Sequence, residues 1–127
     1  MKYLLDTHVA LWAFGKRARL SEAAEHAILD PANKKHVSIA SAWELAIKIR
    51  SGKLVFEGGI ELFFDTIDDN GFELLPITKK HVKQVETLPL LHKDPFDRLL
   101  VASAIVGDMC LITADADIHL YDVHSLW

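Results

Sequence analysis

Tyr3-Leu4-Leu5-Asp6 sets three apolar residues in a row directly before an acid. A strand with one wet face alternates apolar and polar residues, so a short unbroken run is the pattern of a strand buried on both faces. Similar runs recur at His36-Val37-Ser38-Ile39, Glu73-Leu74-Leu75-Pro76-Ile77, Met109-Cys110-Leu111-Ile112 and, more weakly, Leu120-Tyr121-Asp122-Val123. The segments between these runs carry helical spacing. Ser21 followed by Glu22, Ala23, Ala24, Ala27, Ile28 and Leu29 reads as a capped helix stopped near Pro31. Ala40 to Arg50 sets Trp43, Ala46, Ile47 and Arg50 three or four apart, with Gly52 as the stop.

Gly59 to Asp69 and Thr78 to Thr87 are also expected to be helical, with Asn70-Gly71 as a turn. Pro95 to Val106 is apolar on nearly every side beyond its first turn and is predicted to be the most buried helix. Strands and helices that alternate in this way imply a mostly parallel sheet of four to five strands, covered on both faces and joined by right-handed crossovers. The expectation is an α/β protein, a three-layer α/β/α sandwich occupying residues 1–127 as one domain.

Composition narrows the function classes. Half of the 127 residues are hydrophobic, enough for one core. The first residues do not resemble a signal peptide, and no stretch approaches the roughly 18 apolar residues of a membrane span. With one cysteine, Cys110, an intrachain disulfide is impossible and a buried reduced thiol is expected. These features suit a cytoplasmic protein without a membrane partner. The net charge of -4 excludes coating of nucleic acid by bulk positive charge. It leaves room for a nuclease, because carboxylates gathered around a cation look acidic on paper while bound Mg²⁺ offsets much of that charge.

Asp6, Glu44, Asp97 and Asp115 are far apart in the chain, yet each falls just after an expected strand or near the start of an expected helix. In an open parallel sheet those positions share the carboxyl edge, where such proteins form their sites. Asp97 must be carried back to that edge by the segment Leu88 to Asp94. At about 3.3 Å per extended residue, this segment can span roughly 23 Å, which is enough. A cluster of unpaired carboxylates repels itself unless a cation shares the site, and Mg²⁺ or Mn²⁺ prefers such oxygen ligands and bridges them to phosphate. The pattern points to a metal-dependent enzyme acting on phosphate esters.

Each acid also has a local reading. Ser41-Ala42-Trp43-Glu44 fits a capping box, with Lys48 one turn on as a partner for Glu44. Asp94-Pro95-Phe96-Asp97 fits an N-cap, a first-turn proline and a first-turn acid. Asp6 reads as a cap, and Asp115 with Asp117 as turn formers. His8, His36, His81, His92 and His119 show no metal-ligand spacing and are expected to take surface or hydrogen-bonded roles.

Taken together, Leu4-Leu5-Asp6-Thr7-His8, Val37-Ser38, Ser41-Ala42-Trp43-Glu44-Leu45, Asp94-Pro95-Phe96-Asp97-Arg98-Leu99-Leu100-Val101-Ala102 and Leu111-Ile112-Thr113-Ala114-Asp115 resemble the PIN-domain nucleases, in particular the VapC-type toxins. The resemblance runs from the first strand to the last. It implies an α/β/α sandwich and a Mg²⁺-dependent endoribonuclease, often a homodimer, inhibited by a cognate antitoxin whose peptide arm covers the site. Asp6, Glu44, Asp97 and Asp115 match the family's acids, and Thr113 matches a hydroxyl residue beside the last of them. Asp94 and Asp117 are extra acids, candidates for outer metal contacts.

Two rivals follow from the same residues. An aspartyl-nucleophile phosphatase also starts with a strand ending in Asp, but it normally has a second Asp two residues later, where this chain has His8. A catalytically inactive, protein-binding member of the same fold is the other, with Trp12, Phe14, Trp43, Leu54 and the pair Phe63-Phe64 as candidate lining for an apolar peptide arm.

Overall fold

The computed structural model describes residues 1–127. Its strands are β1 (Lys2–Leu5), β2 (Lys34–Ser38), β3 (Glu73–Leu75), β4 (Cys110–Ile112) and β5 (Ser125–Leu126). The helices are α1 (Thr7–Gly15), α2 (Glu22–Leu29), α3 (Ile39–Arg50), α4 (Gly59–Asp69), α5 (Lys79–Thr87) and α6 (Pro95–Gly107). The strands form one sheet in the order β3-β2-β1-β4-β5, and every pairing is parallel.

The unbroken apolar run of β1 has a direct physical cause. Leu4 and Leu5 point to opposite faces of the sheet, and each face carries its own core. Leu5 packs with Val9, Val37, Leu45, Phe63 and Ile112 on one face. Leu4 packs with Leu100, Val101, Leu111 and Ile118 on the other. Leu111 and Ile112 of β4 divide in the same way. The α6 helix is the apolar wall of the second face, with Leu100, Val101 and Ala102 fully buried.

The strand order reverses at β1, whose neighbours are β2 and β4. Connections on the two sides of β1 leave in opposite directions, which opens a crevice at the carboxyl ends of β1 and β4. Leu5 pairs with Ile112 there, and the Asp6 amide donates to the Ile112 carbonyl at 3.0 Å. The Leu88 to Asp94 connection does return to this edge. It is held by Tyr121, whose hydroxyl accepts from the amides of Leu91 at 3.2 Å and His92 at 3.0 Å. Arg98 bonds the same hydroxyl and the Pro89 carbonyl, both at 2.9 Å.

Two expectations need correction. Leu120 to Val123 is not a strand. A 3-10 turn covers Ile118–Leu120, and Ile118 and Tyr121, three residues apart, are the buried pair. That is helical spacing, and the fifth strand comes later, at Ser125–Leu126. The start of α3 also lies earlier than the capping-box reading of Ser41 requires. The Ser38 side chain accepts from the Ala40 amide at 3.0 Å, so Glu44 sits in the second turn and does not cap. No helix is long and apolar enough to cross a membrane.

Candidate active site

Asp6 ends β1 and caps α1. Its Oδ1 accepts from the Val9 amide at 2.8 Å, which satisfies one of the free N–H groups of the first turn. Its other oxygen accepts a hydrogen bond from the Thr113 hydroxyl, one residue past Ile112 at the end of β4, the neighbouring strand. Burial pushes the Asp6 carboxyl up from its ordinary value, the Thr113 and Val9 bonds oppose the shift, and the charge of Asp115 adds to it.

Thr113 is fully buried and is the junction of this wall. While donating to Asp6 it accepts from the Asp115 amide at 3.0 Å, which fixes the turn that presents Asp115. Asp115 in turn accepts from the Asp117 amide at 2.9 Å, the turn-forming role expected of an acid here. Its Oδ2 bonds His92 Nε2 at 2.9 Å. Burial alone would raise the Asp115 pKa, but the His92 bond and the Asp117 amide reverse the sign and lower it.

Asp97 enters from the first turn of α6. Asp94 is the N-cap of that helix, with its Oδ1 accepting from the Asp97 amide at 3.0 Å, and Pro95 starts the first turn. Burial pushes the Asp97 carboxyl up to about 7, reinforced by the charges of Asp94, Glu44 and Asp6 and opposed by His92. The buried Asp97 carboxyl thus carries its charge at a cost, which a cation beside it would offset.

Glu44 stands behind the cleft. One oxygen accepts from the Thr7 hydroxyl at 2.8 Å and the other pairs with Lys48 at 2.9 Å. Thr7 also lies 2.9 Å from Ser41, so α1 and α3 are laced together next to Asp6. The Lys48 pair anticipated from the sequence is present.

Asp6, Asp97 and Asp115 share one open cleft of about 310 Å³ with His8, Trp12 and Ala114. Asp94 faces the helix amides instead, and Asp117 is exposed at the rim. His92 takes one of the hydrogen-bonded roles expected of the histidines, but in a place the sequence reading does not anticipate. It stands between Asp97 and Asp115 at 3.1 and 2.9 Å, and the charges of both acids raise its pKa against the lowering effect of burial. The available signal was its position two residues before the Asp94 cap, on the segment that had to return to the carboxyl edge.

A larger groove of about 850 Å³ continues from the same wall. His8 and Trp12 border both spaces, and Leu11, Phe14, Leu54, Phe56 and Leu62 line the groove, with Lys16 and Arg19 beside them. Trp12, Phe14 and Leu54 thus lie where a peptide groove was expected. The other three candidates do not: Phe63 is fully buried core, Phe64 packs against that core, and Trp43 stacks edge-on against Phe96 with ring centroids 5.2 Å apart.

The donor set of the cleft suits a hard divalent cation. It offers carboxylate oxygens from three separate elements, with Asp97 buried and crowded by like charges, and the single thiol, Cys110, is on a buried strand. The N-termini of α1 and α6, capped by Asp6 and Asp94, add partial positive charge that favours anions.

Comparison with solved structures gives the same fold. VapBC2 of Rickettsia felis, bound to a DNA fragment from its promoter, is 18% identical with a TM-score of 0.74, covering 99% of this chain and 98% of that one. VapBC-1 of nontypeable Haemophilus influenzae is 18% identical with a TM-score of 0.68, covering 99% and 97%. FitAcB of Neisseria gonorrhoeae is 15% identical with a TM-score of 0.67, covering 98% and 96%. None of the curated proteins matches the chain by sequence. The PIN domain family model, however, matches residues 3–123, nearly the whole chain, and with it the chain belongs to the PIN domain family, a family of nuclease-type hydrolases.

Proposed function

We propose that this chain is a Mg²⁺-dependent endoribonuclease, the VapC-type toxin of a toxin–antitoxin pair, acting in the cytoplasm as one PIN domain spanning residues 1–127. The observation that carries the reading is the meeting of Asp6, Asp97 and Asp115 in one cleft at the sheet's switch point, with the Asp97 carboxyl pushed up to about 7.

Asp6 and Asp97 are the principal ligands for Mg²⁺, with Mn²⁺ as a substitute, and Asp115 and Glu44 complete the site directly or through water. The cation, when bound, supplies Lewis-acid polarisation of the phosphate and a lowered pKa for water. The protein residues provide the rest. Thr113 and the Val9 amide fix both oxygens of Asp6, so this ligand is held before substrate arrives. Thr7 and Lys48 do the same for Glu44. The helix N-termini stabilise charge that develops on the phosphate, and a cleft carboxylate takes the proton from the attacking water.

The partner is a cognate antitoxin with an apolar arm that lies in the groove bordered by Trp12, Phe14 and Leu62. Val55 and Leu62 are 91% and 45% exposed there, apolar surface that a partner removes from water. A Klebsiella pneumoniae structure of the same fold, with a TM-score of 0.65, is a toxin–antitoxin complex, which supports this choice of partner. A homodimer is proposed through the outer face of α3, where Trp43 and Ile47, one turn apart, are 60% and 47% exposed.

The test is incubation of the purified chain with a total RNA pool, with Mg²⁺ and with EDTA, followed by mapping of new 5′ ends. New ends that require Mg²⁺ are expected. An RNA pool left intact under both conditions favours the protein-binding alternative.

A further inference from the structure

His92 sits on the connection between α5 and α6, and its contacts fix its chemical state. The Asp94 amide donates to Nδ1 at 3.1 Å. Nδ1 must therefore offer a lone pair, which places the proton of the neutral ring on Nε2. Nε2–H donates to Asp115 Oδ2 at 2.9 Å and stands 3.1 Å from Asp97 Oδ2. A nitrogen in that state is a donor to carboxylates and has no lone pair for a cation. His92, Asp115 and Asp117 bring possible ligand atoms within 4.8 Å of one another, but the imidazole in this group is turned to a different task.

That task follows from what else holds the two acids. Asp115 is fixed by the Thr113 hydroxyl and by its own turn. The Asp97 carboxylate has His92 as its one side-chain partner, while Asp94, Glu44 and Asp6 push on it with like charge. The imidazole is itself positioned by Tyr121, which accepts from the His92 amide at 3.0 Å.

On the reading that these carboxylates hold a divalent cation, we propose that His92 is a positioning residue for that cation, its Nε2–H bridging Asp97 of α6 to Asp115 beyond β4. The bridge sets the spacing of carboxylates that would otherwise turn apart; it leaves Asp97 Oδ1 free, while Asp115 Oδ1 keeps its bond from the Asp117 amide. Partners of this kind, one bond removed from the ligands, typically change metal affinity by about 10–100-fold when lost.

The experiment is calorimetric titration of the full chain with Mn²⁺, alongside melting in EDTA to verify folding. His92→Ala is expected to weaken Mn²⁺ binding by about 10–100-fold. His92→Gln, whose amide nitrogen lies as many bonds from the backbone as Nε2, is expected to restore most of the affinity. His92→Asn, whose nitrogen falls at the place of Nδ1, is expected not to. The Gln and Asn pair carries the test even if the Ala variant does not fold. Wild-type affinity in His92→Ala, or equal affinities for Gln and Asn, overturns the positioning role and leaves the metal reading standing. Absence of Mn²⁺ binding by the wild type overturns both.

Discussion

Thr113 donates its hydroxyl to Asp6, tying the segment beyond β4 to the end of β1 across the point where the strand order reverses. The bond lies in a fully buried setting, so its loss leaves a carboxylate oxygen without its partner. Thr113→Val keeps the shape and removes the donor. The expected cost is about 1–3 kcal/mol in stability, read by urea unfolding in EDTA, with weaker Mn²⁺ binding because Asp6 is no longer held. An unchanged midpoint and unchanged affinity contradict this role.

Tyr121→Phe removes one oxygen that accepts from Leu91, His92 and Arg98. The core loses nothing, since the ring remains among Leu88, Leu100 and Ile118. The loosening falls on the connection between α5 and α6. Hydrogen exchange at the Leu91 and His92 amides is expected to accelerate, while amides of α3 keep their wild-type rates. Equal acceleration at all sites contradicts a local clamp.

The α5 helix carries a pH-sensitive cap remote from the cleft. Thr78 accepts from the His81 amide, and the Thr78 amide donates to His81 Nδ1 at 3.2 Å, which completes a capping box. Burial lowers the His81 pKa below its ordinary value of 6.5. The neutral ring is thus favoured in the folded state, so its contribution is present above the unfolded pKa and is lost as pH falls below about 6.5. His81→Gln keeps an acceptor at the third helical position and does not titrate. Its melting temperature is expected to fall less than that of the wild type between pH 7.5 and pH 5.5. Parallel pH profiles for the two proteins contradict this.

Leu62→Arg places a charge in the groove without touching the buried core residue Phe63 beside it. RNA cleavage in the absence of antitoxin is expected to persist, and inhibition by the cognate antitoxin is expected to weaken at least about tenfold, the equivalent of 1.4 kcal/mol. Full inhibition of this variant moves the antitoxin away from the groove.

Much of this architecture is legible in the sequence because both faces of the sheet are buried. Leu4-Leu5 and Leu111-Ile112 serve two cores at once, which is why their runs do not alternate. The capping signals of Ser21 and Asp94 stand where their helices begin. The fifth strand was misplaced because two residues on an edge, Ser125–Leu126, carry almost no pattern of their own. Ser38 has the pattern of a strand residue while its hydroxyl also opens α3, and this double role hides the true turn of Glu44. The place of His92 in the site is not legible, because it depends on contacts with Asp94, Asp97 and Asp115 that no fixed spacing encodes.

The central claim is that Asp97 and its neighbours hold a cation for RNA cleavage, and Asp97→Asn tests it most directly. The substitution removes one charge from a crowded cleft while keeping the shape of the side chain. The variant and the wild type are compared for Mg²⁺-dependent cleavage of labelled RNA and for melting in EDTA and in Mg²⁺. The account predicts no cleavage by Asp97→Asn, a melting temperature in EDTA at or above that of the wild type, and a loss of the upward shift that Mg²⁺ gives the wild type. Full cleavage by Asp97→Asn, with an undiminished Mg²⁺ shift, would contradict it.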